Sequence, residues 1–308
     1  MSKKKLLYFL KIVWILAVLV GVSYYLANNF NSALNYFKTI GPEKLIASLL
    51  LLTAVRIITI NLVKNSLTSV NWQPNFLKAF IFVSISQMGK YIPGGIWQIA
   101  ARLTTYKENG LSNKDTGKAF ILENIWMVCG SFLVGIFFIF ISQPESLLNR
   151  LSIKLSPRSE FGIAILSFIV WVLTLFFSEK YFRRQERKLS YRKFLWNFVS
   201  QTVMWVLYGM SLLILFPSQL SVKEALFCIG AAGLSFFAGY VVIIAPGGLG
   251  IREAAAGMLF VPMFSSIEIG VYSLAHRLLY TLIEFLLAGV SVILLRRQNN
   301  LNHKNIKN

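Results

Sequence analysis

The sequence predicts an all-α integral membrane protein with about six spanning helices plus two Pro-Gly-Gly re-entrant hairpins in an inverted-topology repeat. Three observations carry this. Hydrophobic residues make up 56% of the 308 residues and charged residues only 14%, against roughly a quarter in soluble domains. The apolar residues fall in runs long enough to cross a bilayer, which takes about 20 residues of helix. Two of those runs are broken in the same way, in "GKYIPGGIWQIAAR" (Gly89 to Arg102) and "VVIIAPGGLGIREAA" (Val241 to Ala255). Proline removes a backbone donor and disfavours helix just before it, while paired glycines free the backbone.

The first run follows Lys3-Lys4-Lys5 and extends from Leu6 to Leu26, interrupted by Lys11. No small-x-small cleavage site follows, so it reads as an uncleaved span with a cytoplasmic N-terminus. Further apolar segments lie at roughly 45–63, 76–105, 119–142, 161–178, 194–216, 223–261 and 267–295. The polar stretches between them reach only about fifteen residues, which leaves no room for a sizeable soluble domain. Residues 1–297 therefore form one polytopic membrane domain, with half-repeats at roughly 45–142 and 194–295. A polar cytoplasmic tail follows at 298–308.

Loop charge separates the two topologies open to the broken segments. The linker "SEKYFRRQERKLSYRK" (Ser178 to Lys193) is the most basic in the chain and belongs in the cytoplasm. It falls outside if each broken segment crosses once, and inside if each is a hairpin. The hairpin arrangement also puts Lys107, Lys114, Lys118, Arg296 and Arg297 inside. Arg150, Lys154 and Arg158 are its misfit, and its second hairpin has a first leg at 223–245 long enough to span alone.

A shift of 153 residues lays Pro93-Gly94-Gly95-Ile96 on Pro246-Gly247-Gly248-Leu249, and Glu123-Asn124 on His276-Arg277. Three spans separate the hairpins, so the two enter from opposite faces. Inverted repeats with broken helices meeting near the midplane recur among transporters.

Composition excludes several classes of function. The net charge of +19 comes from Lys and Arg lying mostly between apolar segments, where they set topology and meet anionic headgroups. No folded basic module for nucleic acid is visible. Cys129 and Cys228 both sit in apolar runs, with no metal-ligand spacing. There is no G-x-S-x-G elbow, Walker A loop or H-E-x-x-H pair, so neither an enzyme nor a direct ATP-driven pump is expected, and no cofactor or metal.

The candidate site is built around the two breaks. The second leg of each hairpin would begin near Gly95 and Gly248, where helix N–H groups favour an anion. Gly94, Gly95, Gly247 and Gly248 permit close backbone approach, and Pro93 and Pro246 make the breaks. Lys90 and Arg102 flank the first break; Arg252, Glu253 and Arg277 accompany the second. Ionisable groups inside a membrane face a cavity or a partner, and Arg suits phosphate through bidentate donation. Lys90, Arg102, Arg252 and Arg277 are the expected headgroup contacts, with Glu123 and Glu253 orienting or pairing with them. Pairing among these charges solely to hold the fold is the competing reading. Glu284 lies seven residues after Arg277 on one helix face, suited to structural pairing. Arg56 either lines the cavity or pairs with a neighbouring helix. His276, Trp97, Trp126 and Trp205 read as packing or interfacial residues, and "CIGAAGLSFFAG" (Cys228 to Gly239) as close helix packing.

"GKYIPGG" with Arg102 downstream, "ILEN", "APGGLGIREAA" and "HRLLYTLIEFLLAG" together resemble the transmembrane flippase-like region of the lysylphosphatidylglycerol synthase superfamily. The resemblance covers about residues 5–297. The family's first-half Glu is commonly followed by Arg, where this chain has Asn124. Members with aminoacyl-transfer activity carry a soluble catalytic domain that is not found here. The resemblance therefore implies a membrane-embedded flippase-like transporter of an anionic lipid or lipid-linked glycan intermediate for cell-envelope assembly. The expected location is the inner (cytoplasmic) membrane, with both termini cytoplasmic. The alternative is a non-transporting membrane subunit or scaffold of a cell-envelope glycosyltransferase or lipid-modifying enzyme.

Overall fold

The computed structural model describes residues 3–70, 72–92, 97–182, 190–216, 220–242, 245–261 and 263–307. Among them the chain is helical, with no strand. The helices are α1 (Lys3–Asn28), α2 (Phe30–Lys38), α3 (Pro42–Thr68), α4 (Phe76–Gln87), α5 (Trp97–Glu108) and α6 (Asn113–Ile141). They continue as α7 (Glu145–Arg150), α8 (Pro157–Phe182), α9 (Tyr191–Leu213), α10 (Val222–Val241), α11 (Ile251–Phe260) and α12 (Ser266–Lys307). Local chemistry sets several starts. The side chains of Asn75, Ser112 and Ser221 each accept from the backbone N–H three residues on, and Glu224 closes a capping box on Ser221. Such caps satisfy donors that the first turn leaves free.

Five of these helices are long and apolar enough to cross a membrane: α3, α6, α8, α10 and the Ser266–Gln298 part of α12. A sixth is reached if Ile12–Tyr25 and Phe30–Lys38, bent by 87°, count as one span. This is a multi-pass, all-α membrane protein.

Two expected spans come out differently. The segment at 194–216 forms α9, which is not among the five because Asn197, Ser200, Gln201 and Thr202 dilute its apolar character. That polarity has a use, since Asn197 lies between Asn65 on α3, which donates to it at 2.8 Å, and Glu179 on α8, to which it donates at 2.7 Å. In the other, α10 qualifies as a span by itself, whereas α4, α5 and α11 have 12, 12 and 10 residues. At about 1.5 Å per residue those three cannot cross ~30 Å of hydrocarbon. Helix α12 continues through the polar segment after residue 297 to Lys307.

The repeat reappears in the packing. A shift of 153 residues takes α3 to α9, α4 to the second half of α10, α5 to α11 and α6 to α12. The related helices α3 and α9 lie against each other antiparallel: Lys44 meets Phe216, Ser48 meets Ser211, Thr59 meets Met204 and Asn65 meets Asn197. Two equivalent helices packed antiparallel are the relation that an inverted repeat requires.

Small residues bring α6 and α10 together, as the composition of the Cys228–Gly239 stretch suggests. A methyl group added at Gly230 would lie 2.7 Å from the Gly135 carbonyl oxygen and 2.7 Å from the Ile139 nitrogen. Backbone on both sides cannot yield cheaply. Gly230→Ala is therefore expected to destabilise the fold by about 1–3 kcal/mol, read as a lower unfolding midpoint in detergent. Trp126 and Trp205 are buried in this core, while Trp97 stays half-exposed.

Candidate functional site

Both broken segments fold back on themselves. In the first, Arg102 Nε donates to Ser86 Oγ at 3.0 Å and Gln98 Nε2 to Gln87 Oε1 at 2.9 Å, so α5 returns antiparallel along α4. Gly89 has no room for a side chain, because a Cβ there would collide with the backbone of Trp97 and Gln98. Pro93, Gly94 and Gly95, at the tip, lie outside the described residues. In the second, Phe227 packs on Phe260 and Phe236 under Arg252, so α11 returns along α10.

The second tip explains its glycines. Gly247, Gly248 and Gly250 have φ of 58°, 74° and 81°, a region that other residues rarely enter. Breaking a helix here frees carbonyls that need other partners wherever water is excluded. Side chains satisfy them instead. Arg277 donates to the carbonyls of Gly247 (2.9 Å) and Gly248 (3.4 Å), and Trp14 Nε1 reaches that of Leu249 at 3.0 Å. Arg277 also pairs with Glu253 at 2.9 Å, and the other Glu253 oxygen accepts from the Gly250 N–H at 2.8 Å. Arg277 and Glu253 thus brace the turn. Glu253 also supplies the negative charge that the N-terminus of α11 would otherwise draw from a ligand.

A cavity of about 450 Å³ lies between the two hairpins. Arg56, Lys90, Arg102 and Arg252 line it, with Glu123, Asn124, Gly247 and Gly248. Of the expected headgroup contacts, the structure brings Lys90, Arg102, Arg252, Gly247 and Gly248 to this cavity. Arg277 and Glu253 line a smaller space of about 40 Å³ beside it.

Three of the four lining cations have a carboxylate partner, two of them sharing Glu284. Arg102 pairs with Glu123 at 3.2 Å, and Tyr106 donates to the other Glu123 oxygen at 3.0 Å. Lys90 lies 2.6 Å from Glu284, which also accepts from Tyr91 at 2.5 Å and faces Arg56 at 3.5 Å. Both readings of Arg56 hold together, since it lines the cavity and pairs with a neighbouring helix. Arg252 differs. Its guanidinium stands 4.1 Å over the Phe236 ring. Among the described residues it forms no ion pair, and its buried Nε has no hydrogen-bond partner. Its stem rests on Gly239, where any Cβ would collide with it.

Sequence reasoning missed the partners that the fold brings to these groups. Tyr91, Tyr106 and Ser86 complete the polar shell, and Tyr240 bonds Asn124. Asn124 occupies the place equivalent to Arg277 and, unlike it, opens onto the cavity. Gln87 and Gln98 carried a readable signal, as amides inside an apolar segment. His276 is buried and shares a hydrogen bond with Ser211 at 2.8 Å. Both cysteines are free, and among the described residues no group of His, Cys, Asp or Glu is arranged to hold a metal ion. Among the described residues, four cations and one carboxylate, Glu123, line the cavity, an arrangement that favours an anion.

Compared with known proteins, the chain matches no family model and no curated protein.

Proposed function

We propose that this protein binds the headgroup of an anionic lipid or lipid-linked glycan intermediate in the cavity between its hairpins and moves it between the leaflets of the cytoplasmic membrane for cell-envelope assembly. The observation that carries the reading is Arg252, a guanidinium with no ion-pair partner among the described residues, facing a cavity of about 450 Å³. Ionisable groups inside a membrane mark ligand pathways, and the volume lies within the ~300–1,000 Å³ typical of small-molecule sites. The short legs α4, α5 and α11 suit re-entrant placement, and the antiparallel pairing of α3 with α9 suits a rocking of one half against the other. The resemblance to the flippase-like region of lysylphosphatidylglycerol synthases supports the same assignment.

The test is leaflet exchange. Purified protein in liposomes should accelerate the loss of fluorescent phosphatidic acid and phosphatidylglycerol to an external quencher over protein-free vesicles, and should do less for fluorescent phosphatidylcholine. Exchange no faster than in protein-free vesicles would remove the transport assignment. One observation favours a static role instead. Glu123, Glu253 and Glu284 are each committed to a cation, which suits a braced scaffold for an envelope glycosyltransferase or lipid-modifying enzyme. Headgroup binding without exchange would select that reading.

A further inference from the structure

The charges around the cavity do not cancel, and the remainder has a definite size. Arg56 on α3, Lys90 in the turn after α4, Arg102 on α5, Arg252 on α11 and Arg277 on α12 are the cations at the cavity and its adjoining space. Glu123 on α6, Glu253 on α11 and Glu284 on α12 are the carboxylates that answer them. Five positive groups meet three negative ones, leaving two positive charges. Residues 93–96 and 243–244, outside the described set, add none, being Pro, Gly, Gly, Ile, Ile and Ile. The second unmatched charge comes from Glu284, which serves both Lys90 and Arg56.

Uncompensated charge in a low-dielectric interior is expensive, and a bound counter-ion of equal and opposite charge removes that cost. From this ledger we infer that the cavity selects a headgroup phosphate bearing two negative charges, a monoester or a pyrophosphate, over the singly charged phosphodiester of an ordinary phospholipid. A monoester carries between one and a half and two negative charges near neutrality, its second proton leaving at about pH 6. Two positions supply the contacts: the free Arg252 guanidinium from one hairpin, and the Lys90–Arg56 pair, which holds one carboxylate between two cations, from the other side. The inference rests on the anionic-headgroup reading above and deepens it.

Equilibrium binding to the full-length protein in neutral detergent at pH 7 tests it, with dioleoyl phosphatidic acid, dioleoyl phosphatidylglycerol, dioleoyl phosphatidylcholine and inorganic phosphate as separate probes. Phosphatidic acid should bind at least about tenfold more tightly than phosphatidylglycerol, the weight of one charge-assisted hydrogen bond. In Arg252→Gln, where the excess falls to one charge, that advantage should shrink below about threefold. Equal affinity of the wild-type protein for the two anionic lipids, both above phosphatidylcholine, overturns the dianion inference and leaves the headgroup reading standing. Affinity no greater than for phosphatidylcholine overturns both. Inorganic phosphate binding as tightly as phosphatidic acid supports the dianion preference and overturns the assignment to a lipid.

Discussion

Arg252→Gln is expected to slow anionic lipid exchange by at least about tenfold while leaving the protein folded, since a hydrogen bond to a charged group contributes roughly 1.5–3 kcal/mol. The separation of the two effects follows from the environment of the side chain. Arg252 forms no ion pair among the described residues and its Nε makes no hydrogen bond. Its removal therefore strands no partner carboxylate, which is the usual source of large destabilisation in buried ion pairs. What the fold loses is the guanidinium–ring contact with Phe236, of order 1 kcal/mol. Arg252→Lys keeps the charge but not the fork, and should recover only part of the rate. An Arg252→Gln protein with wild-type exchange would show that this residue has no part in moving lipid.

Glu284→Gln should do the opposite, damaging the fold first. Its carboxylate is almost fully buried and serves Lys90, Tyr91 and Arg56 together. It ties the first hairpin's turn and the middle of α3 to α12. A neutral amide leaves two buried cations without a counter-charge, for which the expected cost is about 3–5 kcal/mol. Lys90→Gln should cost clearly less, because Glu284 keeps Arg56 and Tyr91. Unfolding by sodium dodecyl sulfate titration measures both. If Glu284→Gln unfolds within ~1 kcal/mol of the wild-type protein, the pairing is peripheral to stability.

The asymmetry between these two residues bears on what the chain revealed before it was folded. The Pro-Gly-Gly breaks were legible because proline and paired glycines mark a local backbone change, and the antiparallel return of both segments follows from it. The repeat was legible because its spacing is constant, and it reappears in the antiparallel packing of α3 on α9. Arg102 and Glu123 were both readable as membrane-embedded charges, and they pair across 21 positions. The contact between Lys90 and Glu284 spans 194 positions, and that between Trp14 and Leu249 spans 235. No periodicity reaches so far, so neither partnership could be read. The burden on Arg277 was also hidden. In the sequence it stood with Arg252 as an expected headgroup contact accompanying the second break. Only the positive φ of Gly247 and Gly248 turns their carbonyls toward it and commits it to the backbone. The polarity of α9 misled in the other direction, since a helix packed between α3, α8 and α10 can carry amides that lipid would not accept.

The central claim is that the cavity between the hairpins is an anion site organised by Arg252. The most direct test is an electron cryo-microscopy map of the protein in nanodiscs containing phosphatidic acid. Headgroup density within hydrogen-bonding distance of the Arg252 guanidinium, between α5 and α11, is the expected result. A carboxylate side chain paired with Arg252, or acyl-chain density filling the cavity with no headgroup there, would contradict it.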